Sequence, residues 1–253
     1  MRFKAIVEYD GTEYVGWQVQ PNGRSIQGVL EEAVRTMLGE SVRVVAAGRT
    51  DAGVHAAGQV VSFQLQRTIG VDKLLGGLNA LTPRDISIRT VEVVDDDFDP
   101  RRAACSRVYT YRIWNARVPS PFWRRYAWHV PPALEVESMR VAARDLLGEH
   151  DLSSFRAANC DAAHPVRCVL RSECERAGDL LTYTIEATAF LRHMVRNVVG
   201  TLVEIGTAER AVDDVPRLLA ARDRTLAGPT APAHGLCLTE VKYRLLGCHL
   251  LGC

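Results

Sequence analysis

Residues 46–63 read AAGRTDAGVHAAGQVVSF, and among them one carboxylate, Asp51, stands two positions from one guanidinium, Arg49. The neighbours Ala46, Ala47, Gly48, Ala52 and Gly53 are too small to fill a core and leave room for a flat ligand. In an extended segment, side chains at i and i+2 project from the same side, so Arg49 can face Asp51. A carboxylate kept ionised by an arginine suits a nucleophile. The plain alternative is a turn aspartate bonded to its own backbone. The residue types leave both open.

Arg196 is the next candidate. It follows Arg192 by one turn, on the flank of an apolar stripe of Leu191, Met194, Val195, Val198, Leu202 and Ile205. An arginine there either snorkels along the core edge or reaches a buried carboxylate. The net charge is only +1, but it is unevenly spread. Residues 92–99 carry five acids and no base, and residues 101–125 carry seven arginines and no acid. Tyr109, Tyr111, Trp114, Phe122 and Trp123 are interleaved with those arginines. Charge and stacking of this kind match the needs of a nucleic acid. A solvated strand face with a few core aromatics has the same composition.

Other chemistries fit poorly. Gly48 and Gly53 have the glycine spacing of a phosphate loop, but Val54 and His55 follow where Lys-Ser or Lys-Thr is required. No G-x-G-x-x-G follows the first strand, so a dinucleotide site is unsupported. Cys160, His164, Cys168 and Cys174 lie close together, and Cys248, His249 and Cys253 lie near the end. None of them forms the paired C-x₂-C of structural zinc. The seven cysteines read instead as reduced, mostly buried thiols. The first residues, MRFKAIVEYDGT, hold no signal-peptide core, and no apolar run reaches the ~18 residues of a membrane span. The expectation is a cytoplasmic protein with no membrane segment, no metal and no cofactor.

These residues need elements to position them. The pattern predicts a strand over 3–10 that ends at the turn signal Asp10-Gly11. A helix over 26–38 is capped by Ser25 and stopped by Gly39. Strands over 42–46 and 59–65 leave the Asp51 stretch as the loop between them. A helix over 71–78 and a strand over 86–94 follow. The acidic run and Arg101-Arg102 mark a boundary, which gives units of 1–103 and 104–253. The second unit has a strand over 107–114 with Tyr109 and Tyr111 on one face, and a helix over 136–147. A hairpin of 169–175 and 180–190 turns at Ala177-Gly178-Asp179. A helix over 191–206 and a strand over 235–243 complete it. Such alternation favours α+β with mainly antiparallel sheet.

Five stretches carry a resemblance: YDGTEYVGWQVQ (9–20), GRTDAGVHA (48–56), RVYTYRI (107–113), SFRA (154–157) and FLRHMVRNVVG (190–200). Together they resemble the tRNA pseudouridine synthase A family, from about Val7 to Val241. The last residues, 246–253 (LGCHLLGC), match no pattern of it. The resemblance implies that Asp51 is the catalytic nucleophile and that Tyr109 packs on the target base. It implies that Arg196 pairs with the catalytic carboxylate, that Arg49 helps extrude the base, and that Leu236 lines the pocket. It implies an isomerase, an intramolecular transferase that converts uridines 38–40 of the tRNA anticodon stem-loop to pseudouridine. The base is flipped from its stack. Asp51 attacks either uracil C6 or ribose C1′, the glycosidic bond breaks, and the uracil rotates and rejoins through C5. The C5 proton leaves with Tyr109 or a water as base. Nothing is oxidised or hydrolysed, and neither metal nor cofactor takes part. The fold it implies has two similar α+β halves, antiparallel sheets flanked by helices, with a cleft between them. A homodimer, with one tRNA touching both subunits, is implied as well. Two competing readings are an RNA-binding module in which Asp51 is dispensable, and a metal- or nucleotide-dependent enzyme.

Overall fold

A computed structural model describes residues 1–158, 160 and 162–243 of the chain. The tail 246–253, with Cys248, His249 and Cys253, lies outside the described residues. The described chain divides into two compact units, Met1–Cys105 with residues 237–243, and Ser106–Leu236. The final strand is thereby grouped with the N-terminal unit.

The first unit contains β1 (Arg2–Tyr9), α1 (Ile26–Leu38), β2 (Val45–Ala46), β3 (His55–Gln64), α2 (Val71–Leu81), β4 (Ile86–Val94) and the last strand, β10 (Leu236–Tyr243). Their order is β4-β1-β3-β10, with β2 on β3. β1 runs antiparallel to both β3 and β4. β10 runs parallel to β3, with Cys237 opposite His55 and Leu238 opposite Ala56. Along β1, Phe3, Ala5, Val7 and Tyr9 are buried in strict alternation. The α1 helix begins where Ser25 accepts a hydrogen bond from Gly28 N at 3.2 Å, a cap worth about 1 kcal/mol. It ends at Gly39, which adopts the left-handed conformation at φ 72°.

Two local expectations give way here. The predicted strand 42–46 shrinks to Val45–Ala46, because Val44 N donates to Glu31 Oε1 instead of a neighbouring strand (3.0 Å). β3 starts at His55, four residues before the predicted 59. Gly58 permits this early start, since a Cβ there would lie 2.4 Å from Thr239 O of β10.

The second unit contains β5 (Ala104–Trp114), β6 (Trp128–His129), α3 (Val136–Arg144), β7 (Gly148–Asp151), β8 (Val166–Ala177), β9 (Leu180–Ala187), α4 (Met194–Gly206) and α5 (Asp214–Ala221). Its strands run β5-β9-β8-β7, each antiparallel to the next, with β6 parallel to β5. The β8–β9 hairpin closes with Ala177 opposite Leu180, and Gly178 at φ 60° supplies the turn. The α4 helix begins at Met194, not at the predicted 191. His193 has a left-handed backbone, φ 61°, which cannot continue a right-handed helix. The α3 helix stops at Arg144, not at 147, and Gly148 at φ 99° turns the chain into β7.

The expected α+β class is therefore observed. Among the described residues no helix is long and apolar enough to cross a membrane. Cys105, Cys160, Cys174 and Cys237 are free thiols, and burial pushes the Cys174 thiol up to about 12.

Candidate active site

In the first unit, the loop between β2 and β3 carries Arg49, Thr50 and Asp51. Thr50 is buried, Arg49 exposed and Asp51 half-buried. The middle residue of the three thus points inward while its neighbours point out. Thr50 is held from below: its Oγ1 lies 2.8 Å from the Tyr9 hydroxyl. Gln59 Nε2 donates to Gly48 O at 2.9 Å and to the Tyr9 oxygen at 3.4 Å. Either hydroxyl of the Tyr9–Thr50 pair can be the donor. Burial lifts the Tyr9 phenol to about 12, against the opposing hydrogen bonds of Thr50 and Gln59, so it stays protonated at working pH.

The 9–20 stretch forms the other wall of this loop. Trp17 N donates to Thr50 O at 3.0 Å and Gly53 N to Tyr14 O at 3.3 Å. Gly16, at φ 107°, lies so close that a Cβ would stand 2.7 Å from Thr50 O, and a Cβ on Gly11 would stand 2.0 Å from Val54 O. The wall is itself anchored, since Tyr14 donates its hydroxyl to Asp85 Oδ1 at 2.6 Å. Burial and the Asp85 carboxylate push the Tyr14 phenol well up. Gly11 N donates to His55 Nδ1 at 3.1 Å, tying the first residue of β3 to the same wall. The stretches 9–20 and 48–56 therefore form one body.

In the second unit, Tyr109 on β5 is buried, its ring edge-on to Phe190 with centroids 4.9 Å apart. Arg196 is half-buried on α4. Its Nε donates to Ala231 O at 2.7 Å, and Ala231 N donates to Arg196 O at 3.1 Å. This double tie clamps the segment before β10 onto α4. Tyr111 joins the clamp by donating to Pro232 O at 2.7 Å. Burial raises its phenol far up, and the Arg196 charge opposes the shift. Leu236 follows at the end of the clamped segment and is buried. Gly200 allows the close approach, because a Cβ there would lie 1.7 Å from Pro229 O. Asn197 secures the SFRA stretch by donating to Phe155 O at 2.8 Å. Its Oδ1 accepts from Thr230 Oγ1 at 2.6 Å and from Arg224 at 3.1 Å.

Of the predicted site residues, Arg49 and Asp51 share one loop of the first unit. Arg196 and Leu236 are linked by the clamped segment of the second, where Tyr109 lies on β5. Sequence reasoning passed over the residues that hold these in place: Tyr9, Gly16 and Gln59 in one unit, Tyr111, Asn197 and Gly200 in the other. Tyr9, Gly16, Tyr111, Asn197 and Gly200 all sit inside the quoted stretches. Gln59 carried no signal beyond being a polar residue in a strand. Among the described residues no group of three His, Cys, Asp or Glu side chains could hold a metal ion.

A family profile described as tRNA pseudouridine synthase matches residues 5–101 and 142–244. A tRNA pseudouridine synthase A from Myxococcus xanthus is 50% identical over 244 residues, covering 96% of this chain and 92% of that protein. The protein of the same name from Paramagnetospirillum magneticum is 46% identical over 247 residues, covering 97% and 96%. Among solved structures, a chain of a Cbf5–Nop10–Gar1 complex superposes with TM-score 0.38 and 11% identity over 93% of this chain. This chain spans 57% of that one, a likeness too distant to add to the sequence relatives.

Proposed function

Because the chain belongs to the tRNA pseudouridine synthase family and is an isomerase of it, we propose that it converts uridines 38–40 of the tRNA anticodon stem-loop to pseudouridine, with Asp51 as nucleophile. One observation carries this reading: Asp51 is a half-buried carboxylate on a loop fixed from two sides, by Tyr9 and Gln59 below and by the Trp17 and Gly16 backbone beside it. Loop aspartates that serve only as turns need no such support. A fixed nucleophile is worth it, because misplacement by about 1 Å can cost on the order of a hundredfold in rate.

The uridine leaves its stack at a cost of a few kcal/mol. Asp51 forms a covalent bond to the nucleoside, at uracil C6 or ribose C1′, as the N1–C1′ bond breaks. The freed uracil turns, C5 bonds to C1′, and the aspartyl bond opens again. The proton on C5 departs to a base, Tyr109 or water. The product has the atoms of the substrate. Arg49 assists extrusion of the base, Tyr109 packs on it, Leu236 lines its pocket, and Arg196 pairs with the Asp51 carboxylate. The enzyme works in the cytoplasm as a homodimer.

The test uses tRNA transcripts tritiated at uracil C5, because that hydrogen is lost only when the new C–C bond forms. Release by the wild type and none by Asp51→Asn is the expected result. Release by both would keep the reaction and remove Asp51 as its nucleophile. Tight tRNA binding without release by either would leave a non-catalytic RNA-binding protein.

A further inference from the structure

The segment between β5 and β6, residues 115–127, takes no part in the site described above, yet it is firmly built. Asn115 donates to Val130 O at 2.8 Å and to Pro132 O at 2.7 Å, and its Oδ1 accepts from Arg176 at 2.7 Å. Trp114 Nε1 donates to Val118 O at 3.0 Å. Trp123 O accepts from both Tyr126 N and Ala127 N at 2.9 Å. Pro119 and Pro121 stiffen the segment further. On this fixed frame Phe122 is 86% exposed, the most exposed large apolar side chain among the described residues, and Val118 is 68% exposed. Beside the ring lies an open cleft lined by Trp114, Pro131, Arg176 and the acid Asp179.

Arg117, Arg124 and Arg125 are also exposed on this segment. Residues 100–134 contain no acid at all. A ring presented to water on a pre-ordered loop that also exposes three guanidinium groups matches a nucleobase that stacks and a backbone that carries phosphates. A second copy of the chain fits less well. A two-fold contact sets the same patch against itself, which would bring these arginines against their own images.

We propose that the 115–127 loop is an RNA-docking surface, with Phe122 stacking on an unpaired base of the tRNA and Arg117 and Arg124 holding the adjacent phosphates. The proposal rests on the reading of tRNA as substrate. It adds a contact that none of the five site residues makes.

The experiment titrates a fluorescein-labelled tRNA transcript with wild-type protein, Phe122→Ala, Phe122→Trp and Arg124→Ala, reading anisotropy at several salt concentrations. Phe122→Ala should weaken binding on the order of tenfold, the loss of one stacked base, while Phe122→Trp binds like wild type. Arg124→Ala should lower the slope of log K against log salt by about one. The kcat at saturating tRNA should stay unchanged in all three. Phe122→Ala binding within twofold of wild type overturns the proposal, as does a wild type that binds no tRNA. Sedimentation showing Phe122→Ala as a monomer where the wild type is a dimer, with affinity per protomer intact, would assign the loop to a second copy instead. Binding is read without turnover, so the two readings fail separately. Weakened binding by Phe122→Ala beside a wild type that releases no tritium keeps the surface and removes the reaction. Tritium release beside unchanged binding does the reverse.

Discussion

The Tyr9 hydroxyl lies 2.8 Å from Thr50 Oγ1, a buried contact between the end of β1 and the residue before Asp51. It makes the height of the Asp51 loop depend on a strand 41 positions away in sequence. Replacing Tyr9 by Phe keeps the ring and removes the hydroxyl. Thr50 and Gln59 then each lose a partner in a buried setting, which should cost about 1–3 kcal/mol of stability. If the contact also positions Asp51, kcat for tRNA should fall while KM changes little. Urea unfolding and steady-state kinetics on Tyr9→Phe separate the two. A lowered midpoint with unchanged kcat would make Tyr9 a purely structural residue.

Gly16 gives an independent handle on the same loop. Its φ of 107° and the 2.7 Å approach of a notional Cβ to Thr50 O act together. Gly16→Ala should therefore both strain the backbone, at about 1–3 kcal/mol, and displace Thr50. Gly39 is the control: it is also left-handed, at φ 72°, but a Cβ there meets nothing within 4 Å. Gly39→Ala should lose stability without losing kcat, whereas Gly16→Ala should lose on the order of a hundredfold in kcat, the effect of a small misplacement. Equal kcat values for the two variants would show that the loop tolerates the shift.

What the sequence makes legible follows from how local its causes are. The α1 helix appears over its predicted span because Ser25, a 3.6-residue apolar period and Gly39 all lie within it. β4 appears over 86–94 for the same reason: Ile86, Ile88 and Val91, the residues it buries, all lie within its own span. The start of α4 was misplaced because nothing about His193 announces a left-handed backbone. The α5 helix was missed because it has only eight residues and holds Pro216, which a first turn tolerates but a pattern reading takes as a break. The site divides in the same way. Small residues around Asp51 mark a loop with a carboxylate in it. That Thr50 turns inward depends on Tyr9 and Gln59, which reach it only through the pairing of β1 with β3.

Asp151 at the end of β7 provides a pH test. Its Oδ1 accepts from Ser153 N at 2.9 Å, and Arg222 Nε lies 3.3 Å from its Oδ2. Burial pushes its carboxyl up, but the Ser153 bonds and the charges of Arg222 and Arg156 outweigh that and hold it below its ordinary value. The folded pKa is thus lower than the unfolded one. Its stabilisation is complete above the unfolded value, about 4, and disappears as pH falls through the folded value. The stability difference between wild type and Asp151→Asn should therefore be largest near pH 7 and shrink below pH ~4. Urea unfolding at pH 7, 4 and 3 measures it. A difference that stays constant with pH would mean that the carboxylate charge contributes nothing.

Gly200 and Gly76 make opposite predictions for one chemical change. A Cβ on Gly200 would stand 1.7 Å from Pro229 O, in backbone that cannot swing aside as a side chain can. Gly200→Ala should push the 229–236 segment off α4, break the exchange between Arg196 and Ala231, and cost at least about 1–3 kcal/mol, the range of overpacked cores. Gly76 lies exposed within α2, with nothing within 4 Å of a notional Cβ. Gly76→Ala should stabilise by about 0.5–1 kcal/mol, the helix preference for alanine. Thermal melts of the two variants should move in opposite directions. Tritium release should follow only Gly200→Ala, because its segment ends at Leu236 and is tied to Arg196. If Gly200→Ala loses stability yet keeps full turnover well below its melting temperature, the clamp holds the fold together and leaves the position of Arg196 to other contacts.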